Sequence, residues 1–394
     1  MLSALWDTGQ YEIHQLAINH HGEFTQDATI PWQLQPAKLL DPKDPHGIKM
    51  FIKTLHGGDY DIVWVLNDLY VTSDATESLK KCFDDMRTHG KKIPKVIYYY
   101  PVDCHVPVDK GSFLLLADAI VCYTDHGKEE TLKTFPGLEN KLYQIAHGVD
   151  TSVFKPLSQQ EAALMKSKMV NGDPDTTLVI NVNRNNPRKQ IPYSILAFKE
   201  FRKSVPKSKM YIHTAIVDQG GDIRIAIRDL GLNCVDDIIL PINYSPSNPI
   251  RLEAMNMVYN VGDLFLTTHL GEGWGLTVSE AMAAGTPVVA PRNTSMPQLL
   301  GEHSERGYLY ECKDTIWIDQ SGFRPKGLIP DITETMLRAY HAGPKNKNPR
   351  CHAAIDWASK HTWQHAQRQW IELFTKILAK ESTPIKNSII AEEI

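Results

Sequence analysis

Short apolar runs alternate with amphipathic, helix-period segments along almost the whole of this 394-residue chain. Continuous apolar strands that are separated by amphipathic helices indicate parallel sheets covered on both faces. The alternation forms two series, and a chain of this length is too long for one ordinary core. We therefore expect an α/β protein with two doubly wound domains.

The expected strands fall on either side of about residue 150. The first series is Tyr11–Ile18, Asp61–Leu66, Lys95–Tyr100, Ala119–Tyr123 and Lys141–Ala146. The second series is Thr177–Val182, Lys209–Thr214, Asp237–Leu240, Asp263–Thr267, Thr286–Ala290 and Gly307–Tyr310. The expected helices include Ser73–Thr88, Pro192–Lys203, Asp222–Leu230, Pro249–Tyr259 and Leu276–Ala284.

The domain boundary is predicted at His147–Asp150, where the first series of strands stops and a turn-rich stretch follows. Residues 1–150 then form the N-terminal domain, and residues 151–360 form the C-terminal domain. A long helix over about 361–380 closes the chain against the first domain. Residues 381–394 resemble a frayed, flexible tail.

Composition excludes several classes of protein. The net charge is −4 and no long basic run is present, which argues against a protein that tracks a nucleic-acid backbone. The six cysteines are scattered and predict reduced thiols rather than a disulfide framework or a zinc site. No membrane-length apolar stretch and no signal peptide are visible, so we expect a cytoplasmic protein.

The most informative segment is Thr267–Ala290, which predicts a strand, a glycine-rich turn, a helix, a glycine stop and a second buried strand. Gly271, Gly273 and Gly275 allow the backbone to approach a ligand closely. The helix is expected to begin near Leu276, so its free N–H groups face the turn. Such a helix end suits a diphosphate.

Two glutamates distinguish this segment from an ordinary tight turn. Glu272 lies in the turn and Glu280 lies two helical turns later, which places two carboxylates around one pocket. The alternative for Glu280 is that of most surface glutamates, namely a solvated carboxylate on an exposed helix face.

The segment resembles the retaining GT-B glycosyltransferases, and specifically glycosyltransferase family 4, whose signature is E-x7-E within a block reading E-G-x-G-L-x-x-x-E-A-M-A-x-G-x-P-V-V-A. Trp274 occupies the variable position of that block. Arg184 and Lys189 match the R-x4-K pattern of the family, and Ile145–Asp150 resembles its inter-domain segment. The resemblance implies a GT-B fold, with two Rossmann-like domains facing a cleft.

The resemblance also implies roles for individual residues. Glu280 would hold the ribose hydroxyls of a nucleotide-sugar donor, and Glu272 would lie at the donor sugar. Arg184, Lys189 and the turn would bind the donor diphosphate, which removes the need for a metal ion or another cofactor. Arg188 is an additional basic residue that could equally be a surface charge. The donor-binding stretch of the turn is Gly273, Trp274, Gly275, Leu276 and Thr277.

The same resemblance indicates which residues of the first domain face the donor sugar and the acceptor. The family often presents a polar residue after the third strand, and Asp103 or His105 would fill that place here. Both could instead belong to an ordinary polar loop. Further acceptor-side candidates at strand ends are Asn67, Asp68, Thr124 and Asp125, together with the loop from Asn19 to Pro45.

The beginning of the chain departs from the family pattern. Such proteins open with a strand and a glycine-rich turn, whereas residues 1–9 predict the end of a helix capped by Gly9. The first strand of a doubly wound sheet is central, so its loss leaves two rows of backbone groups unpaired. Either the natural protein begins further upstream, or the first domain closes over the gap.

Two other functions compete with sugar transfer from a nucleotide sugar. A GT-B sugar phosphorylase would need a pyridoxal-phosphate lysine motif, which is not found, and neither that enzyme nor a nucleotide-sugar epimerase fits the E-x7-E pattern well. A catalytically silent subunit that binds nucleotide sugar or scaffolds a complex is compatible with the unusual first domain. The acceptor stays open between a glycan, a lipid, a protein, a small molecule and a modified nucleic acid.

Overall fold

The computed structural model describes residues 2–18, 30–36, 43–44, 46–170, 172–242, 244–245, 249–318, 322–379 and 387–393. These residues form two compact units. The first unit combines residues 1–146 with residues 363–394, and the second unit consists of residues 147–362. The chain therefore crosses between the units twice.

The first unit contains a seven-stranded sheet in which every neighbouring pair is parallel. Its strands are β1 (Tyr11–Ala17), β2 (Gln33–Pro36), β3 (Ile62–Leu66), β4 (Lys95–Tyr100), β5 (Ala119–Cys122), β6 (Leu142–Gln144) and β17 (Asn387–Glu393), in the order β2-β1-β17-β3-β4-β5-β6. Its helices are α1 (Leu2–Trp6), α2 (Ile48–Gly57), α3 (Leu69–Thr88), α4 (Ser112–Leu116), α5 (Asp125–Thr134) and α14 (Trp363–Leu378).

The C-terminal strand β17 lies inside the sheet, between β1 and β3. It runs parallel to both neighbours, with Ile389 in register with Ile13 on one side and with Ile62 on the other. The prediction of a flexible tail is therefore wrong for Asn387–Glu393. The gap expected from the missing opening strand is filled, because a strand from the other end of the chain pairs the backbone groups of β1 and β3.

The structure also differs from the prediction of a loop over Asn19–Pro45, in the part of that segment that it describes. Gln33–Pro36 forms the edge strand β2, which pairs with β1. Trp32 precedes this strand and donates its indole N–H to Gln15 Oε1 at 2.8 Å, so it contacts β1. Much of the rest of this segment, including the histidines at 20 and 21, lies outside the described residues.

The closing helix α14 packs its apolar stripe into the first unit, as expected for a helix with one apolar face. Trp370 is fully buried, and its ring lies 4.6 Å from Trp64 of β3 and 4.8 Å from Tyr99 of β4 between ring centroids. Phe374 contacts Trp64 at 5.7 Å. These contacts anchor the returning chain directly before the segment that leads to β17.

The second unit contains a six-stranded parallel sheet in the order β11-β8-β7-β12-β13-β14. Its strands are β7 (Thr177–Val182), β8 (Ser208–His213), β11 (Ile238–Ile239), β12 (Leu264–Leu266), β13 (Val288–Pro291) and β14 (Tyr308–Tyr310). Its helices are α6 (Gln159–Met169), α7 (Ile191–Ser204), α8 (Ile223–Asp229), α9 (Leu252–Val261), α10 (Leu276–Ala283), α11 (Met296–Leu300), α12 (Ile329–His341) and α13 (Pro349–Lys360).

Two small hairpins complete the second unit, β9 (Val217–Asp218) with β10 (Gly221–Asp222), and β15 (Asp314–Ile318) with β16 (Gly322–Lys326). All six residues of β7 are buried, as are those of β12 and β13, which is typical of strands covered on both faces. The prediction of two parallel sheets covered by helices is confirmed.

Candidate functional site

The glycine-rich turn of the second unit connects β12 to α10. Gly275 precedes the helix with a φ of 103°, a left-handed conformation that favours glycine. A Cβ atom at Gly275 would lie 2.7 Å from Cε of Met296, so the site has no room for a larger residue without a shift. The helix begins at Leu276, where the sequence predicts it, and its first turn faces the glycine-rich segment.

Glu272 in this turn is nearly buried and is held by two cations. One carboxylate oxygen forms an ion pair with the Lys189 ammonium, and the other lies 3.1 Å from Nη1 of Arg188. Arg188 also donates to the backbone oxygen of Gly271. Burial raises the pKa of Glu272, but the charges of Lys189 and Arg188 outweigh it and hold that pKa far below its usual range.

Backbone contacts fix the two segments that carry this cluster. The N–H of Leu270 donates to the carbonyl of Arg188 at 2.9 Å, and the N–H of Glu272 donates to Oγ1 of Thr294 at 2.9 Å. Thr294 has a φ of 42° and Gln190 has a φ of 50°. Positive φ values are costly for residues other than glycine, above all for β-branched ones, and they cluster at functional sites.

Glu280 is the fifth of the eight residues of α10, and its side chain meets a buried tyrosine. The hydroxyl of Tyr259 donates to Oε2 of Glu280 at 2.6 Å, and Tyr259 is fully buried. Burial raises the pKa of Glu280 to about 7, although the bond from Tyr259 acts in the opposite direction. Glu280 is therefore not the solvated surface carboxylate of the alternative interpretation.

The contacts of Arg184 are separate from those of the Glu272 cluster. Its Nε donates to Asp218 at 2.9 Å, and its side chain is 58% exposed. The structure thus brings Lys189 and Arg188, rather than Lys189 and Arg184, together at Glu272. An exposed guanidinium that pairs with a single carboxylate can still exchange that partner for a ligand at small cost.

Trp274 is only 3% exposed, so its ring fills space beneath the turn. Its ring centroid lies 6.2 Å from His147 and 6.2 Å from Trp357, and Trp357 stacks on His361 at 3.9 Å. These contacts connect the turn to the residues at both ends of the second unit. Thr277 follows Leu276 in the first turn of the helix and is partly exposed.

The candidates for the donor-sugar face lie in the first unit. His105 is 71% exposed and its Nδ1 lies 3.3 Å from Glu130. Asp103 is partly exposed in the same loop. The choice between Asp103 and His105 stays a prediction.

The acceptor-side candidates also lie in the first unit, at the ends of β3 and β5. Oδ1 of the buried Asn67 accepts a bond from the N–H of Asp68 at 2.7 Å. Thr124 caps α5, because its Oγ1 accepts from the N–H of Gly127 at 3.1 Å. Thr124 therefore has a structural task already, whereas Asp68 and Asp125 are exposed.

Within the described ranges, no three histidine, cysteine, aspartate or glutamate side chains are grouped closely enough to hold a metal ion. Asp84 pairs with Arg87 and Asp85 pairs with His56, both on exposed surface. Asp237 pairs with Arg202 at 2.6 Å.

None of the helices in the described ranges has both the length and the apolarity of a membrane span.

The ribose contact that the family resemblance implies for Glu280 has a test in Tyr259→Phe, which is expected to shift the pH dependence of nucleotide binding. Ribose hydroxyls donate to a carboxylate, so affinity should rise as Glu280 ionises around pH 7. Tyr259→Phe removes a bond that lowers this pKa, and the midpoint should move to higher pH. Calorimetry between pH 6 and 9 checks this, with Tyr340→Phe on the exposed face of α12 as the matched control. Identical midpoints in both variants would refute a role for Tyr259.

Sequence reasoning missed Tyr259 and Thr294 as partners of the two glutamates. Tyr259 lies in a helix pattern whose apolar positions predict only core packing. Thr294 lies in the polar run Asn293-Thr294-Ser295, which predicts a loop but not a backbone contact to Glu272. For the Glu272 cluster itself, the signal in the sequence is Arg188 next to Lys189, since the structure brings both cations to that carboxylate.

Comparisons with known proteins agree with this geometry. Residues 166–316 match the family model described as "Glycosyl transferases group 1". A sulfoquinovosyl transferase of Arabidopsis thaliana is 27% identical over 179 residues, which cover 44% of this chain and 31% of that protein. An alpha-monoglucosyldiacylglycerol synthase of Streptococcus pneumoniae is 24% identical over 249 residues, which cover 61% of this chain and 52% of that protein. The chain thus spans about a third to a half of the length of these relatives.

Solved structures share the whole architecture. A glycosyltransferase from Rickettsia africae superposes with a TM-score of 0.64 at 14% identity, over 89% of this chain and 86% of that chain. A sucrose-phosphate synthase from Thermosynechococcus elongatus superposes with a TM-score of 0.65 at 16% identity, over 96% of this chain and 92% of that chain. The chain therefore has the GT-B fold, and residues 166–316 of its second unit match the family of glycosyl transferases group 1.

Proposed function

We propose that this protein is a retaining, metal-independent, cytoplasmic glycosyltransferase that takes its sugar from a nucleotide-sugar donor bound by the second unit. The observation that supports it most is the pairing of Glu272 with both Lys189 and Arg188 in the glycine-rich turn. A buried carboxylate between two cations leaves one excess positive charge beside the start of α10. That is an environment for an anion.

The diphosphate of the donor competes with Glu272 for the same cations. When the donor binds, its phosphates take over the contacts to Lys189 and Arg188, and Glu272 is released toward the sugar. Negative charge grows on the leaving diphosphate in the transition state, and the cations stabilise it more strongly than the ground state. Positive charge grows on the sugar, where a carboxylate is favourable.

Glu280 serves the nucleotide end of the donor in this proposal. A carboxylate that accepts bonds from two ribose hydroxyls contributes to binding in the ground state and in the transition state alike. Tyr259 holds one oxygen of Glu280 at 2.6 Å and leaves the other for the ribose. Seven residues separate the two glutamates in the chain. In this proposal Glu272 therefore lies at the sugar end of the donor, and Glu280 lies at its nucleoside end.

A melting-shift panel tests donor binding directly. UDP-, GDP-, ADP- and dTDP-sugars are compared with the free nucleoside diphosphates, and at equal concentration a donor that binds more tightly raises the melting temperature further. We expect one base to be preferred, with mass spectrometry then identifying the product. Diacylglycerol and inositol 3-phosphate are the first acceptors to supply, since relatives named for these molecules match the chain.

The second candidate function is a silent nucleotide-sugar-binding or scaffold subunit. The observation in its favour is that Lys189 and Arg188 both already have Glu272 as a partner within the protein, so the cluster forms without a ligand. A silent subunit would show donor-dependent melting shifts without turnover of a labelled donor. Turnover with any acceptor excludes it.

Donor turnover is expected to persist in excess chelator. The cations of Lys189, Arg188 and Arg184, with the start of α10, supply the positive charge that a divalent ion supplies elsewhere. The measurement is the initial rate of donor consumption with EDTA and with added Mg²⁺ or Mn²⁺. A rate that collapses in EDTA and returns with the metal, while the fold stays intact, would contradict this part of the proposal.

A further inference from the structure

A cavity lies in the second unit, at the edge of the sheet that is opposite to the glycine-rich turn. It opens at the amino ends of β7 and β12, whereas the glycine-rich turn follows the carboxyl end of β12. The two ends of a six-residue strand such as β7 lie about 17 Å apart. The cavity has a volume of about 700 Å³, which is within the range of small-molecule sites. Its walls are mainly apolar and include Leu157, Ala162, Val261, Ala284 and Ile355.

Lys345 is a nearly buried lysine that lines this cavity, which we call the apolar chamber. Lys345 donates to the backbone oxygen of Asn260, near the carboxyl end of α9. A smaller cavity of about 330 Å³, with more polar walls, shares Lys345 with the larger one. The ammonium thus lies where an apolar chamber meets a polar one.

The charged side chains that line the larger cavity are Lys166, Asp263, Lys345 and Lys347, so its lining carries more positive than negative charge. The neighbouring Lys166 is paired with Asp263 at 2.6 Å, and Asp263 also accepts the N–H of Leu178 at 2.7 Å. The pair is therefore satisfied internally, and among the residues that the structure describes the ammonium of Lys345 donates to the neutral carbonyl of Asn260. A buried cation is costly unless an anion compensates it.

We propose that this cavity binds a small amphiphilic monoanion, a carboxylate on an apolar body, with the carboxylate at Lys345 and the body in the apolar chamber. The positive lining of the larger cavity matches an anionic head group, and its mainly apolar walls match the apolar body. The larger chamber provides apolar contact, and the smaller one keeps the head group near water. The site is separate from the glycine-rich turn and does not depend on sugar transfer.

The structural alternative is that Lys345 only caps α9, because basic side chains stabilise the last carbonyls of a helix. Octanoate is the probe that separates the two, with octanol as the neutral body and acetate as the bare head. Calorimetry should show octanoate binding at least tenfold more tightly than either. Lys345→Met should weaken octanoate by about ten- to a hundredfold, while Lys203→Met, a change of an exposed lysine on α7 that lines neither cavity, leaves it unchanged.

A second variant protects the test against a folding defect in Lys345→Met. Ala162→Leu keeps a good helix former in α6 and narrows the apolar chamber. It should weaken octanoate severalfold and leave acetate unaffected. Equal binding of octanoate to all variants, or no binding by the wild-type protein, would overturn the proposal, and a melting defect in Lys345→Met without any octanoate binding would assign Lys345 to helix capping alone.

The pH dependence gives an independent readout. Burial lowers the pKa of Lys345 to about 8, so octanoate affinity should fall as pH rises from 7 to 9. The other charged or titratable groups that face it are Lys166, Asp263 and Cys351, and burial keeps the Cys351 thiol neutral with a pKa of about 12. The exposed Lys347 and His352 line the outer part of the chamber. An affinity that does not change between pH 7 and 9 would contradict an ammonium contact.

Discussion

A chain that ends at residue 386 is expected to lose the folded state of its first unit, while the second unit keeps its own. Such a chain lacks β17, which pairs with β1 over seven positions and with β3 over four. Each buried backbone group left without a partner costs about 1–3 kcal/mol. Several such groups together exceed the roughly 5–15 kcal/mol that separates folded from unfolded domains.

Amide hydrogen exchange measures this loss segment by segment. The amides of Ile62–Leu66 should exchange at least a hundredfold faster in the shortened chain, whereas those of Thr177–Val182 in the second unit serve as the internal control. A synthetic peptide of residues 380–394 should restore protection when added in excess. Retained protection of β3 in the shortened chain would show that β17 is not the strand that completes the sheet.

Glu272→Gln is expected to lower kcat by about 100- to 1,000-fold, a loss typical of removing one electrostatic contact from a transition state. The same change removes the internal anion that competes for Lys189 and Arg188. Free nucleoside diphosphate should therefore bind as tightly as before or more tightly. A melting curve controls for the destabilisation that follows when a buried ion pair loses one partner.

Glu280→Gln should act on binding instead. Loss of a charged hydrogen bond costs about 1.5–3 kcal/mol, so KM for the donor and Kd for the nucleotide should rise roughly ten- to a hundredfold with little change in kcat. Glu253→Gln, an exposed change at the start of α9, is the matched control. If Glu272→Gln abolishes nucleotide binding while Glu280→Gln leaves it untouched, the two roles are reversed.

Most of the sheet architecture is predictable because it depends on local patterns. Strands such as Thr177–Val182 and Lys95–Tyr100 are rich in β-branched, apolar and aromatic residues, and the structure has them at those residues. The helix at Leu276 begins where three glycines end. In these cases the buried faces and the turn residues point to the same structure.

The position of β17 was not predictable from its own residues. Asn387–Glu393 contains one short apolar run, Ile389-Ile390-Ala391, after a polar and proline-containing stretch, and local composition favours a tail. Its place in the sheet is a long-range property, because only the gap between β1 and β3 gives the segment two partners. The missing opening strand is the available signal, and it is compatible both with a longer natural protein and with a first domain that closes over the gap.

The same distinction between local patterns and long-range contacts applies to the candidate site. The E-x7-E spacing predicts which glutamates matter, but not that Arg188 contacts Glu272 while Arg184 contacts Asp218. Which of two nearby arginines turns inward depends on the backbone at Pro187–Lys189, which forms a short 3₁₀ turn. Tyr259 reaches Glu280 from another helix, and no local pattern records such a contact.

Turnover of a nucleotide sugar with a label on its sugar tests the central claim most directly. The donor selected by the melting-shift panel is incubated with wild-type protein, with Glu272→Gln and with candidate acceptors, and the labelled products are identified by mass spectrometry. The account predicts an acceptor heavier by one sugar residue with wild-type protein and at least a hundredfold less of it with Glu272→Gln. A donor that binds tightly but is never consumed, or that is consumed equally by both proteins, would contradict it.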